Sequence, residues 1–171
     1  MTPDHFTTHV LDHGMLILKE LGGPDLSDDA RRLLLAIAQQ ESGPSLNARY
    51  QGSPSTSPGP ARGWWQFEQG GGVAGVLQHG ASKSLAAKVC AHLSVVANAP
   101  AVWRSLEGND ALASCFARLL VFTDPHALPT DEGAAWQCYM RLWRPGKPHP
   151  ESWPRNWSVA CITIGGDVPV A

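Results

Sequence analysis

Two carboxyl groups and one amide, Glu41, Glu68 and Gln66, are side chains of the types that cleavage of a glycosidic bond uses. Glu41 falls where the apolar stripe of a helix-forming run (Leu34, Ile37, Ala38) gives way to Gly43-Pro44. A carboxyl group held on the apolar side of a helix end is poorly solvated, which favours its protonated form. A proton available near neutral pH is what the leaving oxygen of a glycoside needs. Downstream, Ala61-Arg62-Gly63-Trp64-Trp65-Gln66-Phe67-Glu68 offers an amide with both a donor and an acceptor for sugar hydroxyls and acetamido groups, and a second carboxylate. An inverting hydrolase needs such a second carboxylate about 6.5–9.5 Å from the acid, with room for water between them. Glu68 is equally read as an exposed glutamate at a strand end.

These side chains depend on two elements. Ser27 is a good N-cap, and Asp28 and Asp29 suit the first turn of a helix running over Ala30 to Gln40 and delivering Glu41 at its end. Residues 43–63 are rich in Pro, Ser and Gly and read as a loop over a site. The aromatic stretch Trp64 to Glu68 reads as a brief strand, in which Gln66 and Glu68 share one face and Trp65 and Phe67 the other. Elsewhere helical patterns dominate. A first helix is expected over about residues 4–21, one through Leu85, Val89, Leu93 and Val96, one from Asn109 or Asp110, one capped by Thr130 that carries Trp136, Tyr139 and Trp143, and a last one with Trp153, Trp157 and Cys161 on one side. The 171 residues, 43% hydrophobic, suit a single domain over 1–171 without internal repeats.

Composition excludes several partners. Only 16% of residues are charged, the net charge is −2, and no Lys/Arg block exists, so nucleic acid is not expected to bind. No apolar run approaches a membrane-spanning length, and the N-terminus lacks a basic region followed by an apolar one. The chain is therefore read as made in the cytoplasm, a monomer without integral membrane association. Cys90, Cys115, Cys138 and Cys161 are widely spaced in apolar stretches and read as buried free thiols. His5, His9 and His13 share one helical stripe, which lacks a cluster of further ligands and reads as a solvated face. No metal and no cofactor is expected. Seven Trp in this length supply both core and candidate sugar-stacking faces.

The motifs resemble those of lytic transglycosylases in the lysozyme-like superfamily. Glu41-Ser42-Gly43 resembles the catalytic Glu-Ser motif, and Ala61-x-Gly63-x-x-Gln66 stands in register with Ala-x-Gly-Leu-Met-Gln-Ile, Trp64 and Trp65 replacing Leu and Met. A third motif, Tyr-Asn-Ala-Gly before a later Trp, is matched only by Gly146 and Trp153 in Trp143-Arg144-Pro145-Gly146 and beyond. Similar pieces occur in phage endolysins and plant-type chitinases. The resemblance implies a mainly α fold (α+β, lysozyme-like) with a small β element beside a substrate groove. It implies cleavage of peptidoglycan glycan strands between N-acetylmuramic acid and N-acetylglucosamine, by an endolysin or a virion-associated phage protein acting at the cell wall. Glu41 would be the general acid and base; Ser42, Gln66, Trp65, Tyr139 and Trp143 would bind substrate, with Tyr139 offering a phenol near Glu41. An inverting hydrolase using Glu41 with Glu68, and a non-catalytic glycan-binding phage structural protein, are the alternatives. A zinc amidase resting on the His stripe and a Cys-His peptidase are weaker rivals.

Overall fold

The computed structural model describes residues 1–47 and 59–165, and it is mainly helical, with one two-stranded antiparallel sheet. The first rod joins α1 (Pro3–Phe6), a π-helical stretch (Thr7–Leu11) and α2 (Asp12–Glu20), and Gly22 in a left-handed conformation follows it. α3 (Asp28–Ser42) is capped as its sequence dictates: the Ser27 hydroxyl accepts from the Ala30 amide at 3.3 Å. Asp28 and Asp29 pair with Arg31 and Arg32 one turn on, each at 3.1 Å. A forked pair from Arg31 to Asp12, at 2.9 and 2.7 Å, ties α3 to α2.

Next come β1 (Ala61–Arg62) and β2 (Phe67–Glu68), with Ala61 opposite Glu68 and Arg62 opposite Phe67. A π-type turn (Gln69–Val73) leads into α4 (Ala74–Gln78), α5 (Lys83–His92), α6 (Ala99–Ser105) and α7 (Asp110–Phe122). α8 (Glu132–Trp143), a 3-10 turn (Pro150–Ser152) and α9 (Trp153–Thr163) complete the chain.

The buried apolar side chains form one contiguous core. α7 runs through it, packed mainly on α2, and α3 packs mainly on α9. α2 and α7 approach closely at Gly14: a Cβ there would lie 2.5 Å from that of Ser114. The Ser114 hydroxyl donates to the Leu11 carbonyl at 2.7 Å, and the Cys115 thiol to the Gly14 carbonyl at 3.0 Å. All four cysteines are free and buried. The two polar side chains of α7 at this approach, Ser114 and Cys115, both donate across it to backbone carbonyls.

Several boundaries differ from the sequence reading. The helix expected to reach Val96 ends at His92, and Val96 is exposed. The Asn98 side chain caps the next helix by accepting from the Ala101 amide. Asp131, one residue after Thr130, caps α8. His5, His9 and His13 are exposed, and among the described residues no three His, Cys, Asp or Glu side chains are grouped to hold a metal. No described helix is long and apolar enough to cross a membrane. Of the loop expected over 43–63, residues 48–58 lie outside the described residues.

Candidate active site

A groove of about 850 Å³ runs beside the small sheet, and Glu41, Gln66, Glu68, Tyr139 and Trp143 all line it. Glu41 occupies the last turn of α3, where no basic residue is present to stabilise a negative charge. Burial pushes its carboxyl up from an ordinary 4.5 to about 7. The Tyr139 hydroxyl donates to Oε1 at 2.7 Å, which opposes that rise by favouring the carboxylate, and burial wins. A carboxyl group balanced in this way both gives and takes a proton near neutrality.

Tyr139 owes its position to an aromatic cluster on α8 and α9. It stacks on Trp153 at 5.4 Å with 15° between the planes, and Trp136 lies 5.3 Å away. Burial, and then the nearby Glu41, push the phenol well above its ordinary ionisation range, so it stays a donor. Trp143 lies one turn further along α8 and lines the groove. Its indole N–H donates to the Trp65 carbonyl at 2.9 Å, joining α8 to the turn that carries Gln66.

That turn corrects the strand reading. Residues 63–66 reverse the chain between β1 and β2, with Gly63 at φ 74° and Gln66 at φ 49°. Gly63 has no room for a side chain, since a Cβ would meet the Leu106 carbonyl oxygen at 3.0 Å. Gln66, without that excuse, adopts a left-handed conformation that costs about 1 kcal/mol. Its backbone N–H and side-chain Nε2 both donate to the Gly63 carbonyl, at 3.0 and 2.9 Å. Gln66 lines the groove, and its Oε1 has no protein donor among the described residues. Gln66 and Glu68 both reach the groove, but through a turn and not through strand alternation.

Two expected binding residues lie elsewhere. Trp65 is fully buried, packs against Phe6 and donates its indole N–H to the Leu34 carbonyl at 2.8 Å. It is a core residue with no face for sugar, because the turn sends it inward beneath α3. Ser42 is also buried, and its hydroxyl reaches neither the groove nor Glu41; it donates to the Trp64 carbonyl at 2.6 Å. Ser42 thus fastens the end of α3 to the turn, which sets Glu41 and Gln66 beside one another.

The structure adds residues that the motifs did not mark. Gln40, next to Glu41, lines the groove and is held on three sides. Its Oε1 accepts from Asn156 at 2.8 Å and Ser152 at 3.0 Å, and its Nε2 donates to the His149 carbonyl at 2.9 Å. Gly70, Gly71, Gly72 and Gly75 form much of one lining segment. At Gly70 and Gly75 a Cβ would meet nothing within 4 Å and φ is not left-handed, so the fold does not require glycine at either. The run of three glycines was the available signal, and it marks a wall stripped of side chains. Arg141, Arg144, Lys147 and His149 line the groove from the end of α8 onward.

The groove thus brings together the Glu41 carboxyl, raised to about 7, the exposed side chain of Glu68 and the Gln66 amide. No family model matches the chain, and neither the curated proteins nor the solved structures contain a match to it.

Proposed function

We propose that this protein is a glycosidase that cleaves peptidoglycan glycan strands at the N-acetylmuramic acid–N-acetylglucosamine bond, in the manner of a lytic transglycosylase. The observation that carries the reading is the Glu41 carboxyl, half-buried at the groove, raised to about 7 and held by Tyr139. Glu41 gives its proton to the glycosidic oxygen as the bond from C1 of the muramic sugar breaks, freeing the 4-hydroxyl of the neighbouring sugar. The resulting carboxylate takes the proton of the C6 hydroxyl, whose oxygen closes on C1 to form the 1,6-anhydro ring. One carboxyl serves both steps, and the proton count balances. Tyr139 positions Glu41 and stabilises the carboxylate between the steps. The Gln66 amide oxygen accepts from a sugar hydroxyl or acetamido N–H, and the Trp143 ring offers an apolar face.

A second reading rests on Glu68, which is exposed and lines the same groove. There Glu68 would take a proton from water on the far side of the bond, giving hydrolysis with inversion. Mass spectrometry of digested sacculi separates the two. Anhydro-muropeptides are the expected products, and reducing ends, lost in Glu68→Gln, would establish the hydrolase instead. A non-catalytic, glycan-binding phage protein would give neither product while still sedimenting with sacculi.

A further inference from the structure

The groove is lined unequally in charge. The segment over Gly70–Gly75 carries no charged side chain, whereas the stretch from the end of α8 to His149 brings Arg141, Arg144, Lys147 and His149 to the groove. Two of these four have carboxylate partners: Arg141 pairs with Asp124 at 2.7 Å, and His149 with Glu151 at 3.0 Å. Arg144 and Lys147 have no carboxylate within 4.0 Å among the described residues. They lie exposed at the mouth of a groove in a chain of net charge −2.

Arg144 carries a second, independent mark. It is the C-cap of α8 and sits at φ 49°, ψ 51°, the left-handed conformation that such caps ordinarily give to glycine. Its Nε donates to the Arg141 carbonyl at 3.1 Å, which directs the guanidinium along the helix end. An arginine at this position costs about 1 kcal/mol in backbone strain relative to glycine, offset in part by that bond to the helix-end carbonyl. The exposed charge is what distinguishes it.

We propose that Arg144 and Lys147 form an anion-reading rim for carboxylates carried by the glycan, so that the groove takes acid-substituted strands in preference to neutral ones. This rests on the glycan-cleaving reading above. Carboxylates on peptidoglycan come from the peptide stems and, where a stem has been removed, from the lactyl group of the muramic acid, which the stem otherwise holds as an amide. A guanidinium suits them through its forked geometry, and a neighbouring ammonium adds charge.

The test uses three teichoic-acid-free substrates: native sacculi, sacculi amidated with carbodiimide, and amidase-stripped strands that keep only lactyl carboxylates. Sedimentation of Glu41→Gln protein reads binding, and wild-type clearing reads cleavage. At low salt, native sacculi are expected to be bound and cut about three- to tenfold better than amidated ones, as two exposed ion pairs supply, with the gap closing in high salt. Arg144→Gln/Lys147→Gln should treat both alike. Arg144→Gly/Lys147→Gln, which relieves the cap, gives the same readout should the first variant fold poorly. Stripped strands behaving as native ones show that a freed lactyl carboxylate serves the rim as well as the stems do; stripped strands behaving as amidated ones restrict the rim to stem carboxylates. Equal treatment of native and amidated sacculi by the wild type, or an undiminished preference in the double variants, would overturn the rim. A binding preference without any cleavage would instead overturn the glycosidase reading and leave the rim standing.

Discussion

α7 and α8 are nearly equal in length, 13 and 12 residues, and both begin at an Asn or Asp cap, yet they are used in opposite ways. α7 buries Ala111 through Val121 without a break, while α8 buries only Ala135, Cys138 and Tyr139. α7 is held by packing on every side. α8 is held by particular contacts: Tyr139 stacked on Trp153, Trp143 bonded to the Trp65 carbonyl, and Arg141 paired with Asp124. Burial opposes ionisation of Asp124, but hydrogen bonds from His126 and Arg141 hold its carboxyl down at about 2. A helix that lines a groove must leave side chains for the substrate, so its stability comes from few anchors. Function is then expected to respond to α8 and stability to α7.

The largest departures should show the division most clearly. Phe116 of α7 is fully buried, and Phe116→Ala should cost about 4 kcal/mol, read as a fall in the denaturation midpoint. Glu41→Gln should lower turnover about a thousandfold, as loss of a general acid does, while the protein stays folded. Its effect on stability has a definite sign. The native carboxyl ionises near 7 against an ordinary 4.5, so the folded protein holds that proton more tightly than the unfolded chain. Burying the charge therefore destabilises the fold above pH 7 by about 3 kcal/mol. That penalty shrinks as pH falls from 7 to 4.5 and is absent below. Glu41→Gln should accordingly be more stable than the wild type at pH 8 and no more stable at pH 4, by chemical denaturation at the two pH values.

Smaller effects sharpen the same contrast. Tyr139→Phe removes a hydrogen bond that favours the carboxylate, so Glu41 should ionise at still higher pH. Turnover should fall about tenfold and the alkaline limb of the rate profile should move upward, with stability changed by only about 1 kcal/mol. Gly75→Ala lies inside α4 with open space around the added methyl. It should stabilise the protein by about 0.5–1 kcal/mol and slow clearing of sacculi about threefold, because the methyl enters the groove. A gain in stability with unchanged clearing would remove the glycine wall from the substrate path.

What was legible in the sequence follows from how local each cause is. Ser27, Asp28 and Asp29 mark the start of α3 by contacts within one turn, so the placement of Glu41 at its end was readable. Trp153, Trp157 and Cys161 share a buried side of α9, as their spacing implies. The turn over 63–66 was hidden because a glutamine, not a glycine or asparagine, takes its second left-handed position. That one torsion decides that Trp65 faces the core. The helices α4 and α6 are too short, at 5 and 7 residues, to show a periodic stripe. Tyr139 meets Glu41 across 98 residues of chain, and the cationic rim assembles only when α8 returns to the groove. No local pattern encodes such meetings, though the family resemblance offered Tyr139 as a phenol near Glu41, with Trp143 the better match to the motif's register.

The rate of sacculus clearing against pH, for wild type and Glu41→Gln side by side, bears most directly on the role given to Glu41. The wild-type rate should fall tenfold per pH unit above about 7, where the carboxyl loses its proton. Glu41→Gln should be about a thousandfold slower and should lack that fall above pH 7. A Glu41→Gln protein that clears sacculi at the wild-type rate, with the same dependence on pH, would show that the groove's chemistry belongs to another residue.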